Sequence, residues 1–536
     1  METVANFFAS IIRLSPADLP ATVYLCLGVI APAHLGIETS VGEGVLLKAM
    51  AQATGRPIAK IRADLQQKGD IGEVAEQSRN VQRQIMFAAK PQPLTISGVF
   101  AKLQQIAAMQ GQNSQTNRVD QIARLLTTCQ PVEAKFLIRL LIGKLRVGLA
   151  EQSVLIALAH SAVYAKCTTK KDRAKYWEDK QVLDKVAKNL RLAFANCPDV
   201  DRIVKALKEA VDSDDEDFVQ PFLELPKKCH IVPGLPVKPM LAQPAKSMHE
   251  VVEKLGAIAK EENAEERILA CEYKYDGERA QIHIFYKENE TNPTVKIYSR
   301  NQEDHTVRFQ EVANRIATEA VLEEARGKSI IIDSEIVAVD SNGRHLPFQM
   351  LAARKRKEQT EEEKAKDAAK APSVPLYQAI AFVFDCFYID GKSLVDETLL
   401  ERRRLVRQCI KPIDGLVEWA KSLEVDLDKQ EHEVEEKITA WLEESVKEGT
   451  EGLIVKTASS KYMVARRAPC WLKLKKDYID TDGGAGGMGG DSVDLVVIAG
   501  YWGAGKRTGR LGAFLLASYD PLDDQYETVC KLGTGT

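Results

Sequence analysis

Two hydrophobic periods divide this chain. Up to about residue 230, apolar side chains recur at spacings of three and four. Phe136, Leu137, Leu140, Leu141 and Leu145 would share one face of a helix over 134–149, and residues 154–163 repeat the pattern. Ser15-Pro16-Ala17-Asp18 and Thr95-Ile96-Ser97-Gly98 are the kind of residues that open helices and punctuate loops. The uncharged stretch 19–37 contains Pro20, Pro32 and His34, so it reads as short buried helices rather than a membrane span. Residues 1–228 are therefore expected to be all-helical, with the acidic run 212–217 as a solvated loop.

A proline cluster (Pro226, Pro233, Pro236, Pro239) marks the first boundary, and beyond it the period changes to two. Ala280, Ile282 and Ile284 alternate with Gln281 and His283, which predicts a half-buried strand. Strands are also expected over 329–339, 379–389, 452–457 and 471–475, and a helix over 436–448, giving an α+β domain with a largely antiparallel sheet. The Glu/Lys/Ala-rich stretch 358–370 reads as an exposed loop without chemistry. The glycine run 483–490 is expected to be a hinge. Strands over 493–498, 512–519 and 526–532 then look like the opening of a small barrel, which so few strands cannot close. The expected organisation is three domains, 1–233, 234–478 and 479–536.

Charge refines this picture. The whole chain carries −3, which alone implies no polyanionic partner, yet residues 51–150 hold 14 Lys+Arg against 6 Asp+Glu. That local excess is a candidate electrostatic footprint. Ten scattered cysteines include no CxxC pair, which argues against a cysteine-rich zinc site or a disulfide framework and fits reduced thiols in cytosol or nucleus. Glu2 is the only charge before Arg13, so no basic signal-peptide region is visible, and a soluble intracellular protein is expected.

Two glycine motifs are set aside. Gly484, Gly486 and Gly489 satisfy GxGxxG only because they lie in a glycine run, with no strand entering and no helix leaving. GYWGAGK at 500–506 approaches a phosphate-binding loop, but Arg507 stands where a Ser/Thr hydroxyl would hold magnesium.

The segment CEYKYDGERAQIHI (271–284) carries more. Lys274 lies in a polar turn between Glu272 and Asp276, with Gly277 to let the backbone turn and Arg279 beyond it. A free lysine, with its pKa of ~10.4, is almost wholly protonated near neutral pH, and neighbouring cations could lower that value. Lys473 and Lys475 alternate with Leu472 and Leu474, so both lysines leave one strand face while the leucines go to the core. Lys456 ends the run EGLIVK. Glu335, among β-branched residues, is costly unless paired or metal-bound. Glu451 opens EGLIVK, and alternation puts it opposite Lys456 unless it precedes the strand or a bulge intervenes. A lysine nucleophile, carboxylates suited to magnesium and converging cations fit attack on a nucleotide α-phosphate.

These segments resemble a known family. KYDG is the KxDG nucleotidyl-transfer motif, followed in order by YSRN (298–301), DSEIV (333–337), FVFDCFY (382–388), EGLIVK (451–456) and WLKLKKDY (471–478). With GKLRVGLAEQSV (143–154), PGLPVKPMLAQP (233–244) and GKRTGRLGAFLLASYD (505–520), nearly the whole chain resembles ATP-dependent DNA ligases of the eukaryotic replicative type. The resemblance implies an all-α DNA-binding domain, an adenylation (nucleotidyltransferase) domain and a partial β-barrel OB-fold. It implies ATP and Mg2+ as cofactors and nicked duplex DNA as substrate, with Lys274 adenylated. Glu272 would contact adenine, Arg279 and Arg300 ribose and phosphate, and Phe384 the face of the base. Glu335 and Glu451 would serve sugar and metal, and Lys456, Lys473 and Lys475 the phosphates. In the turn 143–148, Lys144 and Arg146 would grip DNA phosphates without reading sequence.

The resemblance further implies a nuclear monomer acting in DNA replication, repair and recombination. An opening helix, a regulatory tail that carries sliding-clamp binding, and the last OB-fold motif are expected to be missing from this stretch of chain. Arg354-Lys355-Arg356-Lys357 imitates a localisation signal but lies within the adenylation domain. An mRNA capping guanylyltransferase or RNA ligase shares KxDG but not the helical domain. A non-catalytic nick-binding protein is the alternative of a different class.

Overall fold

The computed structural model describes residues 2–38, 41–81, 92–111, 113–261, 267–287, 290–352, 377–475, 494–503, 507–521 and 523–533. The stretches 358–370 and 483–490, Arg354–Lys357 and the end of the GYWGAGK segment lie outside these residues. Among the described residues no helix is long and apolar enough to cross a membrane, and the cysteines are free.

The N-terminal part is helical and has two cores. Helix Glu151–Lys166 is the centre of one, burying Val154, Leu155, Leu158 and Val163 among Phe8, Val186, Leu190 and Leu207 of the surrounding helices. Helices Glu43–Thr54, Ser114–Thr128 and Pro131–Leu141 build the other around Leu46, Met50, Leu126 and Ile138. Local chemistry sets the helix starts. Thr95 caps Ile96–Ala108 by accepting from the Gly98 N–H at 3.1 Å, and Asp179 caps Lys180–Asn196 through the amides of Gln181 and Val182. The uncharged stretch 19–37 forms helix Leu19–Leu27 and a 3-10 turn, Ala33–Leu35.

The helix expected over 134–149 is shorter than its apolar period. It stops at Leu141, and Gly143 takes a φ of 70° that turns the chain away. Leu145 still packs on the same core from the turn, which is why the spacing looked continuous.

The second part contains strands β1 (Leu241–Pro244), β2 (Ile268–Tyr273), β3 (Glu278–Phe285), β4 (Thr294–Ser299), β5 (Ile330–Asp340), β6 (His345–Leu346), β7 (Tyr377–Ile389), β8 (Lys392–Ser393), β9 (Val417–Trp419), β10 (Ser422–Asp426), β11 (Gly452–Thr457) and β12 (Arg467–Lys475). They form two sheets. One runs β1-β12-β11-β2-β10; the other runs β4-β3-β5-β7-β8, with β6 and β9 attached to β5 and β7. Pairing is antiparallel except for β1 with β12 and β7 with β9. Val337, Val339, Ile380 and Phe382 of the second sheet share a core with Leu269, Val455, Leu472 and Leu474 of the first. Helices Met248–Glu261 and Glu431–Lys447 contribute to that core. A third, antiparallel sheet, β13 (Val496–Trp502), β14 (Leu511–Asp520) and β15 (Gln525–Gly533), gives the partial barrel.

Strand β3 departs from expectation. Gln281 and His283, assigned to a solvent face, are 2% and 0% exposed. The connector that precedes β1 lies across that face and replaces water with its own backbone. The Gln281 carboxamide accepts from the Val237 N–H at 2.9 Å and donates to the Val237 carbonyl. His283 Nδ1 accepts from the Gly234 N–H at 3.1 Å, so this imidazole is neutral, and burial pushes its pKa down to about 3. The same connector reaches the helical part, where the Lys238 ammonium pairs with Glu151 and lies over the Phe194 ring.

Gln281→Leu keeps the volume but leaves the Val237 N–H and carbonyl buried without partners, at about 1–3 kcal/mol for each group. The expected outcome is a lower denaturant midpoint and faster proteolysis within 233–244, read by denaturant titration and limited digestion.

Candidate active site

The two sheets leave between them a cleft of ≈ 630 Å³. Its walls include Glu272, Lys274, Arg279, Arg300, Glu335, Phe384, Glu451, Lys456, Lys473 and Lys475, so the strands bring together residues spread over two hundred positions. Lys144 and Arg146 are in the helical part and do not line it. Lys144 is exposed, while the Arg146 guanidinium lies 3.0 Å from Asp70, which also holds Arg139 at 2.7 Å.

Lys274 follows β2 directly. Its N–H donates to the Gly452 carbonyl and its carbonyl accepts from the Glu451 N–H, both at 2.8 Å. This reciprocal pair sets Glu451 just before β11, which resolves the alternation conflict without a bulge. Lys274 Nζ lies 2.8 Å from Glu451 Oε2, and Lys475 pairs with the same oxygen. Burial opposes the charge on Glu451, but hydrogen bonds from Lys274 and Lys475 outweigh it and hold its pKa below the ordinary carboxylate value. The nearest charged partner of Lys274 is therefore a carboxylate, not the converging cations expected from sequence. Crowding of cations falls on Lys473 instead: burial, then Lys475 and Lys274, hold its pKa below the usual lysine value. Leu472 and Leu474 are buried in the core, as alternation on β12 requires.

At the other end of the cleft, Glu272 is 2% exposed and sits between two cations. Lys456 Nζ approaches one carboxylate oxygen at 2.7 Å, and Arg403 pairs with the other. The Lys456 ammonium also lies 4.1 Å from the Trp471 ring centre and 4.5 Å from that of Phe384. It belongs to this aromatic end, and burial holds its pKa down against the pull of Glu272. Phe384 presents its ring to Arg279 as well, at 5.4 Å.

Arg279 is held in the cleft wall by a buried acid. Its guanidinium forms a fork with Asp333 (3.0 and 2.6 Å) and donates to the Met240 carbonyl at 2.6 Å. Tyr462 donates to Asp333 at 2.8 Å and closes the cluster. The buried acid of DSEIV that is paired is thus Asp333. Glu335, two residues on, lines the cleft, and desolvation pushes its carboxyl up to about 8 despite Arg279 and Lys274 nearby. Arg300 is exposed at the rim, just after β4.

Gly277 is needed for a reason other than turning. Its φ is not in the left-handed region, but a Cβ there would collide with the Ile336 carbonyl and come within 2.9 Å of Glu335 Cγ. A side chain would prise β3 from β5 and move Glu335.

Sequence reasoning missed Asp333, Tyr462 and Arg403. Asp333 had a signal, since it lies two residues from Glu335 on the same strand. Arg403 had none: within Glu401-Arg402-Arg403-Arg404 all three arginines look like surface charge. Yet Arg402 is fully buried on Asp385 at 2.7 Å and Arg403 reaches Glu272.

The raised pKa of Glu335 has a consequence for stability. Between its ordinary value of 4.5 and about 8, the native state holds a proton that the unfolded chain has released. Folding stability from this group therefore falls as pH rises through that window. Glu335→Gln should raise the melting temperature at pH 8 more than at pH 5.5, measured by thermal unfolding in both buffers.

Residues 239–475 match the protein family described as ATP dependent DNA ligase domain, and residues 1–159 match DNA ligase N terminus. Over all of its length the chain is 40% identical to DNA ligase 1 of Drosophila melanogaster and 37% identical to DNA ligase 1 of Arabidopsis thaliana. It spans 64% and 60% of those two relatives. It is 32% identical to the DNA ligase of Pyrobaculum islandicum over 99% of this chain and 78% of that protein. With these matches running through both the helical part and the cleft, the chain belongs to the ATP-dependent DNA ligase family.

Proposed function

We propose that the chain seals nicks in duplex DNA with ATP, and that Lys274 is its nucleophile. The observation carrying this reading is the position of Lys274: its amine is fixed at 2.8 Å from Glu451, in a cleft that has an aromatic end at Phe384 and a cationic end at Lys473 and Lys475. A nucleotide is amphipathic in the same sense. Its base would lie by Phe384, with Glu272 accepting from the exocyclic amine of adenine, and its phosphates by Lys473 and Lys475. Arg279 and Arg300 would contact ribose and phosphate.

In the first step the deprotonated Lys274 Nζ attacks the α-phosphorus, a P–N bond forms, and pyrophosphate leaves. The 5′-phosphate of the nick then takes the AMP, and the 3′-hydroxyl displaces it to form the phosphodiester. Glu451 orients the Lys274 amine by direct contact, and its own position is set by the backbone pair with Lys274. Glu335 and Glu451 would hold Mg2+, because both carboxylates line the same cleft and a hard divalent ion takes carboxylate oxygens together with substrate phosphate. The ion would neutralise charge on the departing pyrophosphate.

The helical part would supply non-specific DNA affinity through its basic stretch, including Lys144 and Arg146. Likeness to the eukaryotic DNA ligases 1 supports a nuclear enzyme of replication, repair and recombination, with a sliding clamp as a further partner. The match of residues 1–159 to DNA ligase N terminus favours this over a capping guanylyltransferase or RNA ligase.

Incubation with radiolabelled ATP or GTP, followed by denaturing electrophoresis, tests the reading. An AMP adduct is expected, lost in Lys274→Ala while DNA binding stays near wild type. A GMP adduct would indicate a guanylyltransferase, and absence of both adducts a nick-binding protein. For DNA, Lys144→Ala with Arg146→Ala should reduce the slope of log K against log salt by about 1–2. An unchanged slope in fluorescence-anisotropy titrations would move the phosphate contacts elsewhere.

A further inference from the structure

Away from the cleft, two helices on the outer side of the β1-β12-β11-β2-β10 sheet bring together three metal-binding groups. His249 lies at the start of Met248–Glu261, and Glu431 and Glu435 lie one turn apart at the start of Glu431–Lys447. His249 Nδ1 is 3.1 Å from Glu431 Oε1 and 3.6 Å from Glu435 Oε1. All three donor atoms lie within 4.8 Å of one another. Tetrahedral zinc with Zn–N and Zn–O bonds of about 2.0–2.2 Å separates its donors by about 3.3–3.6 Å. The two His–Glu spacings therefore already suit a shared ion.

Three further features point the same way. Glu435 Oε1 is shielded from water yet accepts no hydrogen bond, and a buried acceptor of this kind is costly unless something meets it. Among the described residues no lysine or arginine pairs with Glu431 or Glu435, and both carboxylates converge on the imidazole. The i,i+4 placement puts both carboxylates on one helical face, and His249 comes from the neighbouring helix, so the donors surround a point between two elements that share a core. His249 and Glu431 are 68% and 59% exposed, which leaves outward positions for water.

We propose that His249, Glu431 and Glu435 form a binding site for a first-row divalent transition ion of the zinc or cobalt kind, completed by water. An imidazole donor selects such ions over magnesium, which prefers oxygen throughout. The site is structural in character. It ties together the two helices that cover the sheet carrying Lys274, Glu451, Lys473 and Lys475, and it contacts none of the cleft residues. It does not depend on the reaction proposed above.

The test is a Co2+ titration of the whole chain followed by visible absorption, with Zn2+ competition and calorimetry. The expected result is one equivalent bound, d–d bands without a thiolate charge-transfer band, displacement by Zn2+ and indifference to Mg2+. His249→Ala and Glu435→Gln should each weaken binding by about tenfold or more. Since His249 is exposed, its variant should fold like the wild type, which circular dichroism checks. The proposal is overturned by no binding at about 0.1 mM metal, by an unchanged isotherm in His249→Ala, or by a thiolate band that locates the ion on cysteine.

Discussion

The catalytic half of the molecule is organised by a reciprocal backbone pair between Lys274 and the residues that open β11. Glu451 donates to the Lys274 carbonyl, and Lys274 donates to the Gly452 carbonyl. Backbone hydrogen bonds set position more tightly than long side chains can, because little conformational freedom remains to be lost in them. Through this pair, residues 177 positions apart in sequence become neighbours, and the amine and carboxylate meet without a search. Gly452 has a φ of 137°, and a side chain there would collide with the Leu474 carbonyl, so β12 closes directly against the same turn. The lysines of β12 are then delivered to the cleft by register alone.

Around this point, the cleft is built from charges that stabilise each other unequally. Glu272 is compensated by two cations and Glu451 by two more, whereas at Glu335 desolvation outweighs the pull of Arg279 and Lys274. A fully compensated pocket would be more stable and less able to take up further positive charge, as functional sites commonly trade the one for the other. Arg279 marks the border between these roles. It is held by Asp333 and also anchors the connector at Met240, so one guanidinium joins the cleft wall to the segment that binds the helical part.

That connector explains much of the packing that alternation misjudged. By covering β3 it turns a strand with one wet face into a strand buried on both. Polar residues on the covered face are tolerated because Gln281 and His283 find backbone partners there. The same stretch carries Lys238 to Glu151 and Phe194, so the helical part and the sheets are linked by specific polar contacts.

Much of this could be read from the sequence, because it rests on local rules. The change of hydrophobic period separated the helical part from the sheets, helix capping appeared at Thr95, and alternation placed Leu472 and Leu474 inward. The ordered motifs collected much of the cleft wall, but not Glu303, His305, Arg308, Phe348, Ala352 or Arg467. What the sequence could not supply were choices between equivalent groups. Arg402, Arg403 and Arg404 are chemically identical, and only the packing of their helix, Leu399–Arg407, against β7 sends one to Asp385, one to Glu272 and one to Glu401. Asp333 and Glu335 likewise share a strand face, and the reach of Arg279 determines which is neutralised. The end of the helix at Leu141 and the burial of Gln281 were hidden for a related reason. An apolar period records which residues meet a core, and polarity records a preference for partners; neither specifies whether the chain has turned or whether the partner is water. Those distinctions depend on contacts between distant segments, and so the tertiary structure decided them.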